Sequence, residues 1–187
     1  MGKTLYFDCF SGVSGDMIVG ALLDLGLPLD DLRAALGSLA VDLGEISATR
    51  VVRAGVAATK FQVHAEEHAH AHSHDHPPRH SHGHGHSHSH DHLHAHAHHH
   101  HSLTDITASI QRSALSKAGK ERAIHLFERL ARVEAAIHDM PVERVHLHEV
   151  GAIDSIVDIV GAVYGLEQLG ADRIVSSPLN IGGGTVR

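Results

Sequence analysis

Apolar positions recur with two different periods in the first third of the chain. A short aromatic and apolar run over residues 4–10 predicts a strand. Apolar residues at helical spacing over 17–25 predict a helix that the following glycine and proline end, and a second helix is predicted over 30–39. Residues 45–53 and 56–66 are β-rich and alternate on either side of a glycine, which predicts a β-hairpin.

Helical spacing resumes after the middle of the chain. Residues 102–112 predict a helix that Ser102 or Thr104 could cap. Residues 120–139 carry the clearest helical pattern, with an apolar stripe typical of a face that packs on a core. The stripe consists of Leu126, Leu130, Val133 and Ile137, widened by Phe127 and Ala131, with Glu128, Arg129 and Arg132 opposite.

The last part of the chain combines a helix with short extended segments. Residues 145–149 predict an extended stretch, residues 153–169 a helix that Gly170 ends, and residues 173–176 a last strand. Because strands and helices interleave, the predicted class is α/β or α+β, with a small sheet and flanking helices.

A histidine-rich tract, residues 68–101, divides the predicted domain into 1–67 and 102–187. Of its 34 residues 18 are histidine and Leu93 is the largest apolar side chain, so we expect a disordered loop. Neutral imidazole suits nickel, zinc and copper, which predicts metal binding; a passive linker is the alternative. The predicted ligands are His68, His70, His72, His74, His76, His80, His82, His84, His86, His88, His90, His92, His94, His96, His98, His99, His100 and His101.

Composition excludes several other classes of protein. The formal net charge of -7 argues against a general nucleic-acid binder. Cys9 is the single cysteine, so no internal disulfide can form and a reducing compartment is expected. No run is long and apolar enough for a signal peptide or a membrane span. We therefore expect a soluble cytoplasmic protein that binds neither nucleic acid nor membranes, and we expect a homo-oligomer.

The first candidate site is a glycine-rich turn between the first strand and the first helix. Backbone N–H groups of such a turn, with the helix N-terminus, suit a phosphate or a carboxylate. Asp8 and Asp16 could hold a hard divalent ion against that phosphate. An ordinary turn with Ser14 or Asp16 as N-cap fits the pattern as well. The candidate ligand-binding residues are Asp8, Ser11, Gly12, Ser14, Gly15 and Asp16.

Two further candidate sites lie in the last part of the chain. In an extended segment His146 and His148 point to one face, and with Glu149 they could bind a metal or a phosphate. On the following helix Asp154 and Asp158 lie one turn apart, and the two like charges favour a cation or a basic partner. The alternatives are solvated histidines and a helix-capping Asp154. His125 and His138 are assigned to the polar side of a helix.

Three motifs and the tract together resemble one known family. The motifs are YFDCFSGVSGDM at 6–17, VHLHEVGAIDSIVD at 145–158 and SPLNIGGG at 177–184. In this order they are similar to the nickel-insertion proteins of nickel-pincer nucleotide biosynthesis, the LarC family. The resemblance extends over essentially the whole chain.

The resemblance implies a specific reaction. Ni(II) is inserted into pyridinium-3,5-bisthiocarboxylic acid mononucleotide, where two thiocarboxylate sulfurs and one ring carbon become ligands. Such a cyclometallase, of the lyase class, depends on CTP with Mn²⁺ or Mg²⁺, and its product is the prosthetic group of lactate racemase. Soft sulfur ligands suit nickel. Apo lactate racemase is therefore a further implied partner.

The motif residues gather at predicted strand ends and helix starts, where loops meet ligands, and we hypothesise their roles from this placement. The tract would supply nickel; His146, His148 and Glu149, with Asp154 and Asp158, would act as catalytic residues. The resemblance itself implies a missing part. The family's CTP-binding C-terminal half is expected to be absent, and that half would be a partner without which the chain could be inactive. A natural N-terminal product, a frameshift product and a truncation fit equally. Alternatives are a non-enzymatic nickel store or metallochaperone, and a metal-dependent phosphohydrolase built on Asp8 and Asp16.

Overall fold

The computed structural model describes residues 2–64, 102–145, 147 and 153–183. The histidine-rich tract lies outside these residues. Within them, five helices and four strands confirm the predicted mixed α/β class. In chain order the elements are β1 (Thr4–Phe7), α1 (Gly15–Asp24), α2 (Leu29–Gly37), β2 (Glu45–Arg53), β3 (Val56–His64), α3 (Leu103–Arg112), α4 (Lys117–Ile137), a 3-10 turn (Val142–Arg144), α5 (Ile153–Leu169) and β4 (Arg173–Ser176).

The strands form two separate two-stranded sheets. β1 and β4 pair in parallel, from Thr4 opposite Arg173 to Phe7 opposite Ser176. β2 and β3 form the predicted antiparallel hairpin. Its two-residue turn has Ala54 at φ 49° and Gly55 at φ 80°, and two positive φ angles give the twist that hairpins favour.

The first strand is shorter than its sequence pattern. Residues 4–10 predicted a strand, but β1 ends at Phe7. Beyond it the N–H of Cys9 donates to the hydroxyl of Ser177 at 2.8 Å, and the N–H of Gly12 turns back to the carbonyl of Cys9 at 3.0 Å. These bonds replace the pairing that a longer strand would have made.

Glycines bring α1 close to both of its neighbours. A Cβ at Gly20 would overlap the backbone carbonyl oxygen of Thr59 in β3. A Cβ at Gly165 of α5 would lie 2.9 Å from the side chain of Leu22, which is tighter than van der Waals contact. The core therefore forms around α1, and its largest buried side chains include Leu22, Leu32, Leu36, Phe61 and Phe127.

The predicted stripe of α4 packs on the core only through the two residues that widen it. Phe127 and Ala131 are buried together with Gly119, Ala123 and Ala135, whereas the four central residues of the stripe are exposed: Leu126, Leu130, Val133 and Ile137. The centre of the predicted face was therefore wrong by about one residue, or about 100° around the helix. Glycine and alanine on the buried face let α4 approach its neighbours closely.

Local signals place most helix ends within a few residues of their predictions. Ser102 caps α3 in a reciprocal capping box with Asp105, as one of the two predicted caps. α4 begins at Lys117, before its predicted start, because the hydroxyl of Ser116 accepts from the N–H of Gly119 at 2.9 Å. No helix among the described residues is long and apolar enough to cross a membrane.

Candidate functional site

The segments that follow β1 and β4 lie side by side. The N–H of Ser177 donates to the carbonyl of Phe7 at 2.9 Å, and the side-chain amide of Asn180 donates to the carbonyl of Phe10 at 2.8 Å. Parallel strands end at the same edge of a sheet, so the loops after them meet there. The glycine-rich turn is thus held against the closing motif, although the two are about 170 residues apart in sequence.

Gly12 gives the turn its shape. Its φ of +87° lies in the region that side chains disfavour, and its N–H closes the turn on the carbonyl of Cys9. A Cβ at this position would also lie 3.4 Å from the carbonyl oxygen of Asn180. A glycine here therefore serves both the backbone conformation and the approach of the closing segment.

Ser14 occupies the N-cap position of α1 without capping it through its side chain. Its hydroxyl donates to the carboxylate of Asp16 in the first turn instead of accepting from a backbone N–H. Ser14 therefore lies at the N-cap position, as the alternative prediction stated, but its side chain makes no capping hydrogen bond. The first-turn N–H groups remain available to another acceptor.

Asp158 of α5 provides that acceptor. The backbone N–H of Asp16 lies against its carboxylate and favours the ionised form. A Cβ added at Gly15 would overlap the Asp158 side chain, with the added atom 2.7 Å from a carboxylate oxygen. The structure thus joins the first and third predicted sites, and a carboxylate of the chain itself meets the anion-favouring end of α1.

The environment of Asp158 disfavours its charge. Burial above all, and then the neighbouring carboxylates of Asp16 and Asp154, raise the pKa of Asp158 from 3.8 to about 6. The Asp16 N–H opposes both effects. An acid with this pKa changes its protonation state close to neutral pH, and a nearby cation would favour its ionised form.

The other two predicted aspartates are exposed. Asp154, in the first turn of α5, accepts from the N–H of Ser155 at 2.8 Å. Asp8 lies just beyond the end of β1. Within residues 2–64, 102–145, 147 and 153–183, no group of three or more His, Cys, Asp or Glu side chains could hold a metal ion.

The predicted histidine site lies outside the described residues. His146, His148 and Glu149 belong to it, as do the 18 histidines of the tract. Their neighbours Val145 and Leu147 are buried in the core. His125 and His138 are exposed on α4 and at its C-terminal end, in agreement with their assignment to the polar side.

Two residues at the site had no role in the sequence-based prediction. Ser177 and Asn180 hold the glycine-rich turn through one side-chain hydrogen bond each. The sequence could have indicated them, because they follow the last predicted strand. A loop at that point is expected to lie at the same sheet edge as the glycine-rich turn.

Comparisons with known proteins identify the family. The family model described as nickel insertion protein matches residues 5–187. A pyridinium-3,5-bisthiocarboxylic acid mononucleotide nickel insertion protein of Geobacillus kaustophilus is 44% identical over 185 residues, which are 99% of this chain and 40% of that protein. The protein of the same name from Desulfitobacterium hafniense is 40% identical over 99% of this chain and 39% of its own length.

The chain spans about 40% of the length of the curated relatives that it matches. No solved structure matches it. Both the glycine-rich turn and the Asp154–Asp158 helix lie inside the stretch that the family model covers. The chain therefore belongs to the nickel insertion protein family.

Proposed function

We propose that this chain is the nickel-supplying part of a protein that inserts Ni(II) into pyridinium-3,5-bisthiocarboxylic acid mononucleotide. The observation that carries the proposal is the family match over residues 5–187, which includes every candidate site residue. Two relatives at 40% and 44% identity bear the name of this reaction. The product would be the nickel-pincer cofactor of lactate racemase, and the activity that of a cyclometallase in the lyase class.

In this proposal nickel is a substrate, which the tract at 68–101 gathers. Eighteen imidazoles within 34 residues can hold several ions with ready exchange, because each site uses only a few borderline ligands. His146, His148 and Glu149 then receive the ion next to the mononucleotide. Transfer to the thiocarboxylate sulfurs is favourable since nickel prefers soft sulfur ligands. The single Cys9 agrees with a reducing, cytoplasmic compartment.

The acidic site is proposed to bind the phosphate end of the nucleotide through a hard divalent ion. Asp158 and Asp16 lie together at the N-terminal end of α1, and an anionic phosphate would add a third negative charge. A Mg²⁺ or Mn²⁺ ion would remove this repulsion, and carboxylate oxygens are the donors such ions prefer. We propose Asp16 and Asp158 as the ligands from the chain; Asp8 and Asp154 were predicted to join them, but the described residues hold no group of three that could bind a metal ion. Backbone N–H groups between Ser11 and Gly15, other than that of Gly12, would contact the phosphate.

CTP dependence is assigned to the part of the family protein outside the matched stretch. This chain matches 40% of the length of the relatives, so about 60% of their length lies outside the matched stretch. Insertion by this chain is therefore expected to require that part. The alternative is a non-enzymatic nickel store, which would need the imidazoles of the tract and none of the acidic residues.

Insertion assays separate these two functions. The purified chain is combined with the bisthiocarboxylate mononucleotide, Ni²⁺, CTP and Mn²⁺, with and without the remaining part of the Geobacillus kaustophilus protein, and absorbance of the metallated product is followed. The double variant H146A/H148A is expected to abolish insertion and D158N to reduce it. The matched variant H125A/H138A, which removes two exposed helix histidines, should retain it.

Two outcomes contradict the proposed assignment. Insertion that is unchanged in H146A/H148A would remove these histidines from the reaction. Absence of product in every combination, with nickel binding lost only when the tract histidines are replaced by serine, would establish a nickel store.

A further inference from the structure

Helix α4 carries an exposed apolar seam that is separate from its buried face. The side chains of Val133 and Ile137 are 60% and 74% exposed, and those of Leu126 and Leu130 are 37% and 38% exposed. Their spacing of four, three and four residues is that of the contact positions in a helix–helix seam. The α4 seam is defined here as Leu126, Leu130, Val133 and Ile137.

The seam contributes little to the core that α4 already packs against. Phe127 and Ala131 anchor the helix there, and each lies one residue from a seam position, about a quarter turn around the helix. Contiguous apolar surface of this kind is rare on proteins without a partner. Because the seam runs along the side of α4, a single further helix can lie against it without displacing the core.

Charges beside the seam indicate the chemistry of that partner. Arg122 lies one helical turn before Leu126 and Arg129 directly before Leu130, and both are exposed on the solvent side of the seam. Neither makes an ion pair within the described part of the chain, whereas Arg132 pairs with Glu128 at 3.2 Å. Acidic side chains flanking the partner's apolar face would complement these two arginines.

A second copy of the chain that is packed antiparallel fits the seam poorly. In an antiparallel pair related by a two-fold axis, equivalent faces of the two helices lie on the same side of the plane that contains both helices. Since the buried face lies only a quarter turn from the seam, two copies would bring their cores to the same side of a helix pair about 10 Å apart. A lone helix meets no such obstacle.

We infer that the α4 seam binds an amphipathic helix with an acidic flank from the remaining part of the family protein. That part is available because the matched stretch makes up only 40% of the relatives' length. The inference rests on the proposal that this chain acts together with that part. Its test measures association and needs neither nickel nor the mononucleotide.

The experiment measures complex formation between this chain and the remaining part of the Geobacillus kaustophilus protein. Affinity is determined by titration, and composition by size-exclusion chromatography with light scattering. The variant V133D/I137D should weaken association at least about tenfold, because two contact positions would bury charge. The matched variant V52D/V56D, which changes two equally exposed valines of the β-hairpin, should associate like the wild type.

Charge reversal tests the acidic flank separately. R122E/R129E should weaken association several-fold, and the loss should shrink as salt increases. Reversal of exposed Arg53 on the hairpin serves as its control.

Three results would overturn the inference: no complex with the wild-type chain, equal affinity for V133D/I137D, or self-association of the chain that V133D/I137D removes. Circular dichroism of each variant verifies that α4 remains folded. An intact complex that fails to insert nickel would count against the proposed function and leave the seam assignment standing.

Discussion

Asp158 and Gly15 illustrate how one residue determines the surroundings of another. Gly15 has no side chain, so the carboxylate of Asp158 can reach the first turn of α1. There it gains a backbone N–H but loses hydration and meets Asp16. The balance raises its pKa to about 6, so burial and like charge outweigh the hydrogen bond.

The variant D158N should change how stability depends on pH. Between pH 3.8 and about 6 the folded wild type binds more protons at Asp158 than the unfolded chain, so its stability falls as pH rises through this window and then levels off. Asparagine keeps an acceptor but has no charge. Above the window D158N should be more stable by about 1 kcal/mol, a value reduced for partial exposure of the group.

Urea denaturation of both proteins below and above that window measures this difference. Comparing the two proteins cancels the titration of the histidines, which they share. A constant difference between wild type and D158N at all pH values would contradict the assigned pKa.

Gly20 provides a second prediction at single-residue scale. In G20A the new methyl group overlaps the carbonyl oxygen of Thr59, so α1 and β3 must separate. We expect a loss of about 1–3 kcal/mol in the free energy of unfolding. Gly37, near the end of α2, has no atom within 4 Å of an added Cβ, so G37A should stabilise by about 0.5–1 kcal/mol. Equal effects of the two substitutions in urea denaturation would contradict this packing.

Among the elements, α4 has two apolar faces with different uses. Its small and aromatic face packs on the core, and its larger aliphatic seam remains exposed. Hydrophobic periodicity located the helix but could not choose between faces that differ by about 100°. The choice depends on which face matches the shape of the neighbouring helices.

Truncating a side chain on the buried face of α4 should therefore destabilise the fold far more than truncating one on the exposed seam. F127A removes a fully buried ring and should cost about 3–5 kcal/mol in the free energy of unfolding. I137A removes an exposed side chain and should change it by less than about 0.5 kcal/mol. Urea denaturation of the chain alone measures both changes. A loss of unfolding free energy for I137A as large as that for F127A would show that Ile137 packs in the core.

At the scale of the whole molecule, metal supply and folding are expected to be separable. In the described part of the chain, the core is built from residues on both sides of the tract. Replacing the 18 histidines by serine keeps the length of the connection and hence its closure entropy.

This replacement should leave the free energy of unfolding within about 0.5 kcal/mol of the wild type. It should also remove most of the bound nickel, since the borderline ligands are lost. Equilibrium dialysis measures the nickel, and urea denaturation measures stability. Nickel binding that persists undiminished would place the ions at other residues.

Local sequence signals account for the parts of the fold that were predicted well. α5 spans Ile153–Leu169 and β4 spans Arg173–Ser176, as predicted, with Gly170 at φ 59° between them. Such a glycine ends a helix whatever surrounds it. β1 was predicted too long because its pairing ends where Ser177, far away in sequence, takes the N–H of Cys9.

The sequence by itself determined the elements, the metal-binding chemistry expected of the tract and the resemblance to a nickel-inserting family, because spacing and composition act over short stretches of chain. Only the tertiary structure decided which face of α4 is buried and that Asp158 meets Asp16 at the start of α1. The Asp158–Asp16 contact joins residues more than 100 positions apart, and α4 packs against α3 and α5, which lie on either side of it in the chain. They depend on which surfaces can approach most closely, and the glycines that permit such approach carry no pattern of their own.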